Sequence, residues 1–374
     1  MQTSNHSNFD TRNAFDGSES IESASISSSR SDLRNRLGVA LFGFGRAGRI
    51  HYSNVIRSRH VELLWIVDED VEKAEDALVA DRVTTAKVVL PLRVSEVLND
   101  SCVDFVIIAT PTPTHEVIVR GALKADKGVF CEKPVAMTLH DTAAVYEEAD
   151  HVGRPLYSAF QRRFDPNVRS LRDRVRGGDI GTLHVIKSCS RDSPLPSIQF
   201  LMTSGGIFHD CAVHDIDIVC WIVGEAPLTA YATAHSFIPS IGEINDVDTV
   251  AIVLKFPSGA IATVDLSRHA CYGYDQRLEV FGDQGMLVSE NRAPTTLRQA
   301  TSRGVFTDPI DYSFPDRYSE AYRFELDHFI EVVKGTAEME ITSYDALLAN
   351  RVADACEKSY KTGQVVSVNI DLKN

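Results

Sequence analysis

The chain has 374 residues, 44% of them hydrophobic, with 38 basic and 52 acidic side chains and a formal net charge of −14. That length predicts two domains, and the hydrophobic share is that of an ordinary globular protein. The acidic balance argues against nucleic acid or anionic membrane as a partner, since either would repel it, and no apolar run approaches the length needed to cross a bilayer.

Residues 1–36 are rich in serine, asparagine and charge and poor in aliphatic side chains. Such a segment buries too little apolar surface to offset its ordering entropy, so a disordered tail is expected. It lacks the apolar centre of a secretory signal, and Asp10, Asp16, Glu19, Glu22 and Asp32 break the acid-poor pattern of a mitochondrial transit peptide. Cys102, Cys131, Cys189, Cys211, Cys220, Cys271 and Cys356 are odd in number, scattered and without a C-x-x-C pair. A reducing compartment, and so a cytoplasmic protein, is expected.

From Leu37 the period alternates between strand and helix, with strands expected at 37–42, 61–67, 84–89, 104–109, 128–131 and 155–159. Helices are expected at 48–59, 70–80, 94–99, 114–125 and 138–151. This alternation predicts a parallel sheet over a domain spanning 37–156. Its first strand runs into Gly43-Phe44-Gly45-Arg46-Ala47-Gly48, a G-x-G-x-x-G spacing. In a dinucleotide-binding unit these glycines make the turn, admit the pyrophosphate and let the helix pack on the strand. A bare tight turn could carry the same spacing, but the strand before it, the helix after it and Asp68 at the end of the second strand favour the dinucleotide. Asp68 lies where an acidic residue accepts hydrogen bonds from the adenosine ribose. With Glu69 it would repel a 2′-phosphate, so NAD is expected over NADP. The apolar strand 104–109 ends in Thr110-Pro111-Thr112-Pro113-Thr114-His115, at the carboxyl edge of the sheet where such folds bind ligands.

The strand at 128–131 leads into Glu132-Lys133-Pro134. A lysine there stands beside the expected nicotinamide and can hold or relay a proton; a surface lysine at a strand end is the alternative. Residues 157–374 read differently, with longer strand-like runs at 183–191, 228–237, 249–256, 260–268 and 277–281 joined by short turns. They predict a mostly antiparallel sheet with one face covered by helices and the other free to pair subunits. A last helix is expected at 343–360.

Between them, Gly205-Gly206 opens a helix that ends near Gly224. Asp210, His214, Asp217 and Trp221 fall on one face of it, with Ile216, Val219, Cys220 and Val223 opposite. An aspartate one turn before a histidine can orient a substrate hydroxyl while the imidazole takes its proton. A solvated polar face is disfavoured by Trp221, and a metal site from His209, Asp210 and His214 by the divergence of histidines five residues apart. No metal is expected.

Together, the glycine motif, Ile108-Ala109-Thr110-Pro111 with His115, Glu132-Lys133-Pro134 and Asp210-x-x-x-His214 resemble the Gfo/Idh/MocA oxidoreductases in order and spacing, over everything after the tail. Within that family the chain most resembles the NAD-dependent myo-inositol 2-dehydrogenases. The resemblance implies an N-terminal Rossmann domain and a C-terminal α/β domain with an open, mostly antiparallel sheet, assembled as a tetramer or dimer. It places the catalytic roles on Lys133, Asp210 and His214, and the cofactor contacts on Gly43, Phe44, Gly45, Arg46, Ala47, Gly48, Asp68, Thr110, Pro111, His115, Glu132 and Lys133. It also implies substrate contacts from Lys133, Arg163, Asp210 and His214, Arg163 belonging to the segment Gln161-Arg162-Arg163-Phe164-Asp165-Pro166. Another sugar or a dihydrodiol as substrate, or a non-catalytic NAD sensor, are the competing expectations. Departures in the tail, at His209 and around Ser193 to Thr203 bear on the choice of polyol.

Overall fold

The computed structural model describes residues 36–368; apart from Arg36, the tail expected to be disordered lies outside them. The chain opens with β1 (Leu37–Phe42), α1 (Arg46–Arg57), β2 (Val61–Val67), α2 (Val71–Ala80), β3 (Lys87–Val89) and α3 (Val94–Leu98). It continues with β4 (Phe105–Ile108), α4 (His115–Lys124), β5 (Gly128–Glu132), α5 (Leu139–Val152) and β6 (Leu156–Ala159). The elements match the alternation read from the sequence, with β3 shorter than expected. All six strands run parallel in the order β3-β2-β1-β4-β5-β6. The order reverses between β1 and β4, and a crevice forms outside the carboxyl ends of those strands. Both strands are covered on both faces, which explains their unbroken apolar runs: Val39 to Phe42 and Phe105 to Ile108 are fully buried. Polar caps set the helix ends; Asp70 and Thr138 each accept an N–H of the first turn, at α2 and α5.

Beyond β6 come α6 (Pro166–Arg176), β7 (Leu183–Arg191), α7 (Ile198–Leu201), α8 (Val213–Val223), β8 (Thr229–His235), α9 (Pro239–Gly242) and β9 (Thr249–Lys255). Then follow β10 (Ile261–Ser267), β11 (Asp275–Gly282), β12 (Gly285–Ser289), an exposed hairpin of β13 (Arg298–Thr301) and β14 (Gly304–Thr307), and α10 (Phe314–Arg317). The chain closes with α11 (Ser319–Val333), α12 (Ser343–Thr362) and β15 (Val366–Ser367).

The second sheet has the order β12-β11-β7-β10-β9-β8-β15 and is antiparallel except for the β7–β10 pair. Along β9, Val250, Ile252 and Leu254 point inward and are buried, while Ala251, Val253 and Lys255 point out. Residues of α6, α8 and α12 complete the inner core. The outer face is open and carries Tyr231, Val253, Ile261, Phe281, Met286 and Val288 exposed.

Two helices that the sequence reading left out, α6 and α11, change how the halves join. Although it lies far along the second half of the chain, α11 packs on the first sheet. The Phe329 ring sits 5.3 Å from Phe105 and 5.5 Å from Phe130, and Tyr322 meets His51 at 5.6 Å. The first sheet runs on through β6 past residue 156, and α11 returns to its core, so a cut at 156 separates neither the two sheets nor the two cores.

Candidate active site

The glycine turn is built by contact. At Gly43 φ is +91°, and a Cβ would stand 2.5 Å from the carbonyl oxygen of Ala109; only glycine takes that turn without strain. At Gly48 a Cβ would come within 2.0 Å of the Gly43 carbonyl, so its absence lets α1 press against the turn. Gly45 faces open space and caps α1 without a side-chain hydrogen bond, leaving the first-turn N–H groups for a ligand. Asp68 braces the turn from the end of β2. Its carboxylate accepts from the Phe44 N–H at 2.5 Å and the Asp70 N–H at 2.8 Å, and it still lines the cleft. Free helix-end donors, an unobstructed glycine and an acidic residue at the adenosine end fit the pyrophosphate and ribose of NAD.

The cleft encloses about 1100 Å³. Every residue expected at the cofactor lines it except Gly48, which is consumed by packing. His115 does so while almost wholly buried, its Nδ1 2.7 Å from the Pro134 carbonyl and Nε2 2.8 Å from the Thr110 carbonyl. It ties the turn after β4 to the turn after β5, and burial holds its pKa below the usual histidine value.

At the inner end stand Lys133, Asp210 and His214, brought into one cleft from β5 and from the helix that follows Gly206. The Lys133 ammonium donates to the backbone carbonyl of Asp210 at 2.6 Å and approaches its carboxylate at 3.4 Å. The other Asp210 oxygen accepts from Arg268 Nη1 at 2.9 Å. Burial alone would raise the Asp210 carboxyl, but Lys133 and Arg268 outweigh it and hold it below its ordinary value. His214 stands at the edge of the Phe160 ring, 6.1 Å between centroids. Burial first, then the charges of Lys133 and Arg162, push its pKa well below the ordinary histidine value. A neutral imidazole and a fixed ammonium therefore face the same space. Asp210 engages the two cations rather than His214, so it orients the lysine.

Arg163 is not where the resemblance puts it. It is buried and grips Asp217 through Nε at 3.0 Å and Nη2 at 2.5 Å, and Asp345 at 3.0 Å, so it fastens elements together. Its neighbour Arg162 reaches the cleft instead, held by Asp215 at 3.1 Å. The single polar helix face also breaks down. A π-helical turn over Phe208–Ala212 precedes α8 and alters the phase, and Asp217 and Trp221 are buried. His209 points to Asp354 at 3.4 Å and Glu357 at 3.7 Å on α12.

Asp192 and Arg268 escaped the sequence reading as site residues, and Arg162 entered it only within its segment. Arg268 is wholly buried and bridges Asp210 and Asp246, the latter at 3.2 Å; an arginine closing an apolar strand run was the available signal. Asp192 lines the cleft just past β7, where burial pushes its carboxyl up to about 6 against the Ser193 N–H and Arg46.

The family profile of the NAD-binding Rossmann-fold oxidoreductases matches residues 37–160, and that of the GFO/IDH/MocA C-terminal domain matches residues 168–288. An uncharacterized oxidoreductase of Bacillus subtilis, YrbE, is 35% identical over 90% of this chain and 98% of its own. The myo-inositol 2-dehydrogenase of Thermotoga maritima is 35% identical over 89% of this chain and 98% of its own. The crystal structure of a putative myo-inositol dehydrogenase from Sinorhizobium meliloti superposes with a TM-score of 0.85 at 32% identity, covering 89% of this chain and 100% of that one. With the glycine cradle, the Glu132-Lys133-Pro134 turn and the Asp210–His214 pair assembled on two such sheets, the chain belongs to the Gfo/Idh/MocA family of NAD-binding oxidoreductases.

Proposed function

We propose that the protein oxidises a secondary hydroxyl of an inositol, with Lys133, Asp210 and His214 as its catalytic residues. The observation that carries the reading is the pairing of a neutral His214 with a lysine ammonium in the same cleft as the dinucleotide cradle. Bound NAD supplies the acceptor for the hydride leaving the carbinol carbon. His214 accepts the hydroxyl proton as the carbonyl forms, and returns it in the reverse direction. Lys133 donates a hydrogen bond to the reacting oxygen, and Asp210 fixes that ammonium from behind. Arg162, Asp192 and Gln276, which also line the cleft, offer donors and acceptors to the remaining hydroxyls of a ring polyol. The inositol assignment draws on relatives such as the myo-inositol 2-dehydrogenase of Thermotoga maritima, matched over 89% of this chain.

The experiment is a screen for NADH formation over myo-inositol, scyllo-inositol, aldoses and vicinal diols, run with NAD and NADP. Turnover of an inositol with NAD is the expected result. No NADH from any inositol would overturn the substrate, and tight NAD binding with no oxidation of any polyol would favour a sensor.

The same reading includes a homo-oligomer, dimer or tetramer, formed through the outer face of the second sheet, whose six exposed apolar side chains are otherwise left in water. It also includes a reducing, cytoplasmic setting, in keeping with seven cysteines outside any disulfide.

A further inference from the structure

We propose that His51 is a positioning residue that sets the Glu132 carboxylate against the nicotinamide half of the cofactor. His51 lies on α1, six residues past Gly45, roughly 9 Å along the helix from the donors offered to the pyrophosphate. It is wholly buried, and its ring is wedged edge-on between Phe130 at 5.1 Å and Tyr322 at 5.6 Å. Among the described residues, Nδ1 has no hydrogen-bond partner. Nε2 stands 2.7 Å from Glu132 Oε1. The imidazole thus spends its one polar contact on a residue that closes β5, lines the cleft and immediately precedes Lys133.

A pair that served packing alone would be enclosed at both ends. Here one end is sealed in the core while the other opens on the cleft, the Glu132 side chain keeping 13% exposure. The nearby carboxyl of Glu325 does not compete for the charge. It is fully buried, and burial and then Glu132 push its pKa well up, so Glu325 stays neutral. The Glu132 carboxyl, beside Lys133 and lining the cleft, can accept from a cofactor donor, and the nicotinamide half carries such donors in its ribose hydroxyls and carboxamide. One helix thereby does two things. Its N-terminus holds the pyrophosphate, and His51, less than two turns on, holds the acceptor for the other end of the same molecule.

The inference rests on NAD being the cofactor, not on the identity of the polyol, and is read by binding without any substrate. Affinities for NAD and for ADP, which lacks both the nicotinamide and its ribose, are compared by fluorescence titration for the native chain, His51→Leu and His51→Gln. Leu keeps the packing and removes the donor; Gln keeps a donor near the position of Nε2. His51→Leu is expected to weaken NAD by roughly tenfold and leave ADP within about twofold, while His51→Gln stays within about threefold for both ligands. Equal weakening of both ligands, or equal loss in the Leu and Gln variants, would mean that His51 merely packs, and would overturn the proposal. Should His51→Leu fold poorly, Glu132→Gln gives the second arm. It keeps the fit and removes the carboxylate, and is expected to weaken NAD but not ADP; unchanged NAD affinity there would also overturn the proposal. A native chain that binds NAD but oxidises no inositol would defeat the substrate reading and leave this one standing.

Discussion

Replacing Lys133 by Met removes the ammonium and keeps most of the stem. The native ammonium is held by the Asp210 carbonyl at 2.6 Å and its carboxylate at 3.4 Å, with 13% of the side chain exposed. Asp210 keeps Arg268 at 2.9 Å, so the variant retains a partner for the carboxylate and is expected to fold. What it loses is the charged donor to the reacting oxygen. A group that handles a proton in the transition state is worth about 10²–10⁴-fold, or roughly 2.7–5.5 kcal/mol on the barrier. The assay is the initial rate of NADH formation at saturating NAD and polyol, with NAD affinity measured separately. A fall in kcat of at least about a hundredfold with little change in NAD affinity is expected. The same variant tests the electrostatics of His214. Burial, Lys133 and Arg162 lower its pKa, so the base is neutral through the ordinary histidine range and the native acid limb lies below it. Without Lys133 one of the lowering charges is gone, and the acid limb of kcat/KM moves up. A kcat within tenfold of native (the scale of a lost binding contact rather than a proton-handling group), or an acid limb that does not move, would refute the reasoning.

Arg268→Met removes the cation between Asp210 and Asp246, leaving Lys133 as the cation paired with Asp210. Breaking such a pair costs about 3–5 kcal/mol, to be read from urea unfolding near neutral pH. Asp210 has a lowered pKa in the fold, so its share of stability is present above the ordinary carboxylate range and is lost as pH falls through the folded value. The native and variant curves should therefore converge in acid, and a constant difference across pH would contradict the assignment. Asp192 carries a carboxyl pushed up to about 6. If it accepts a substrate hydroxyl, KM rises as pH falls through that value, and Asp192→Asn abolishes the dependence; a native KM flat from roughly pH 5 to 8 would count against it. On the outer sheet face, Val253→Glu places a charge between Tyr231 and Thr263 on the neighbouring strands. Sedimentation velocity should show the oligomer giving way to monomer, and an unchanged sedimentation coefficient would exclude that face as the interface.

Local chemistry made much of this protein readable before any coordinates. The strand, glycine turn and helix from Leu37 to Arg57 can be read because glycine alone takes the φ of Gly43 and tolerates the approach at Gly48. The fully apolar β4 announces a central parallel strand, and alternation along β9 announces a sheet covered on one face. Lys133, Asp210 and His214 stood out because reactive side chains sat beside turns and glycines that serve no packing purpose.

Arg162 and Arg163 show where that information stops. They are adjacent and chemically identical, yet one lines the cleft and the other is locked onto Asp217 and Asp345. Which way each points depends on carboxylates brought in from distant parts of the chain. The same holds for Arg268 behind Asp210, for His51 under Glu132, and for the docking of α11 on the first sheet. Periodicity, glycine and charge act over a few residues and so were decided by sequence alone. The pairing of buried charges acts through space, and only the packed tertiary structure chose which of them support the cleft and which face into it.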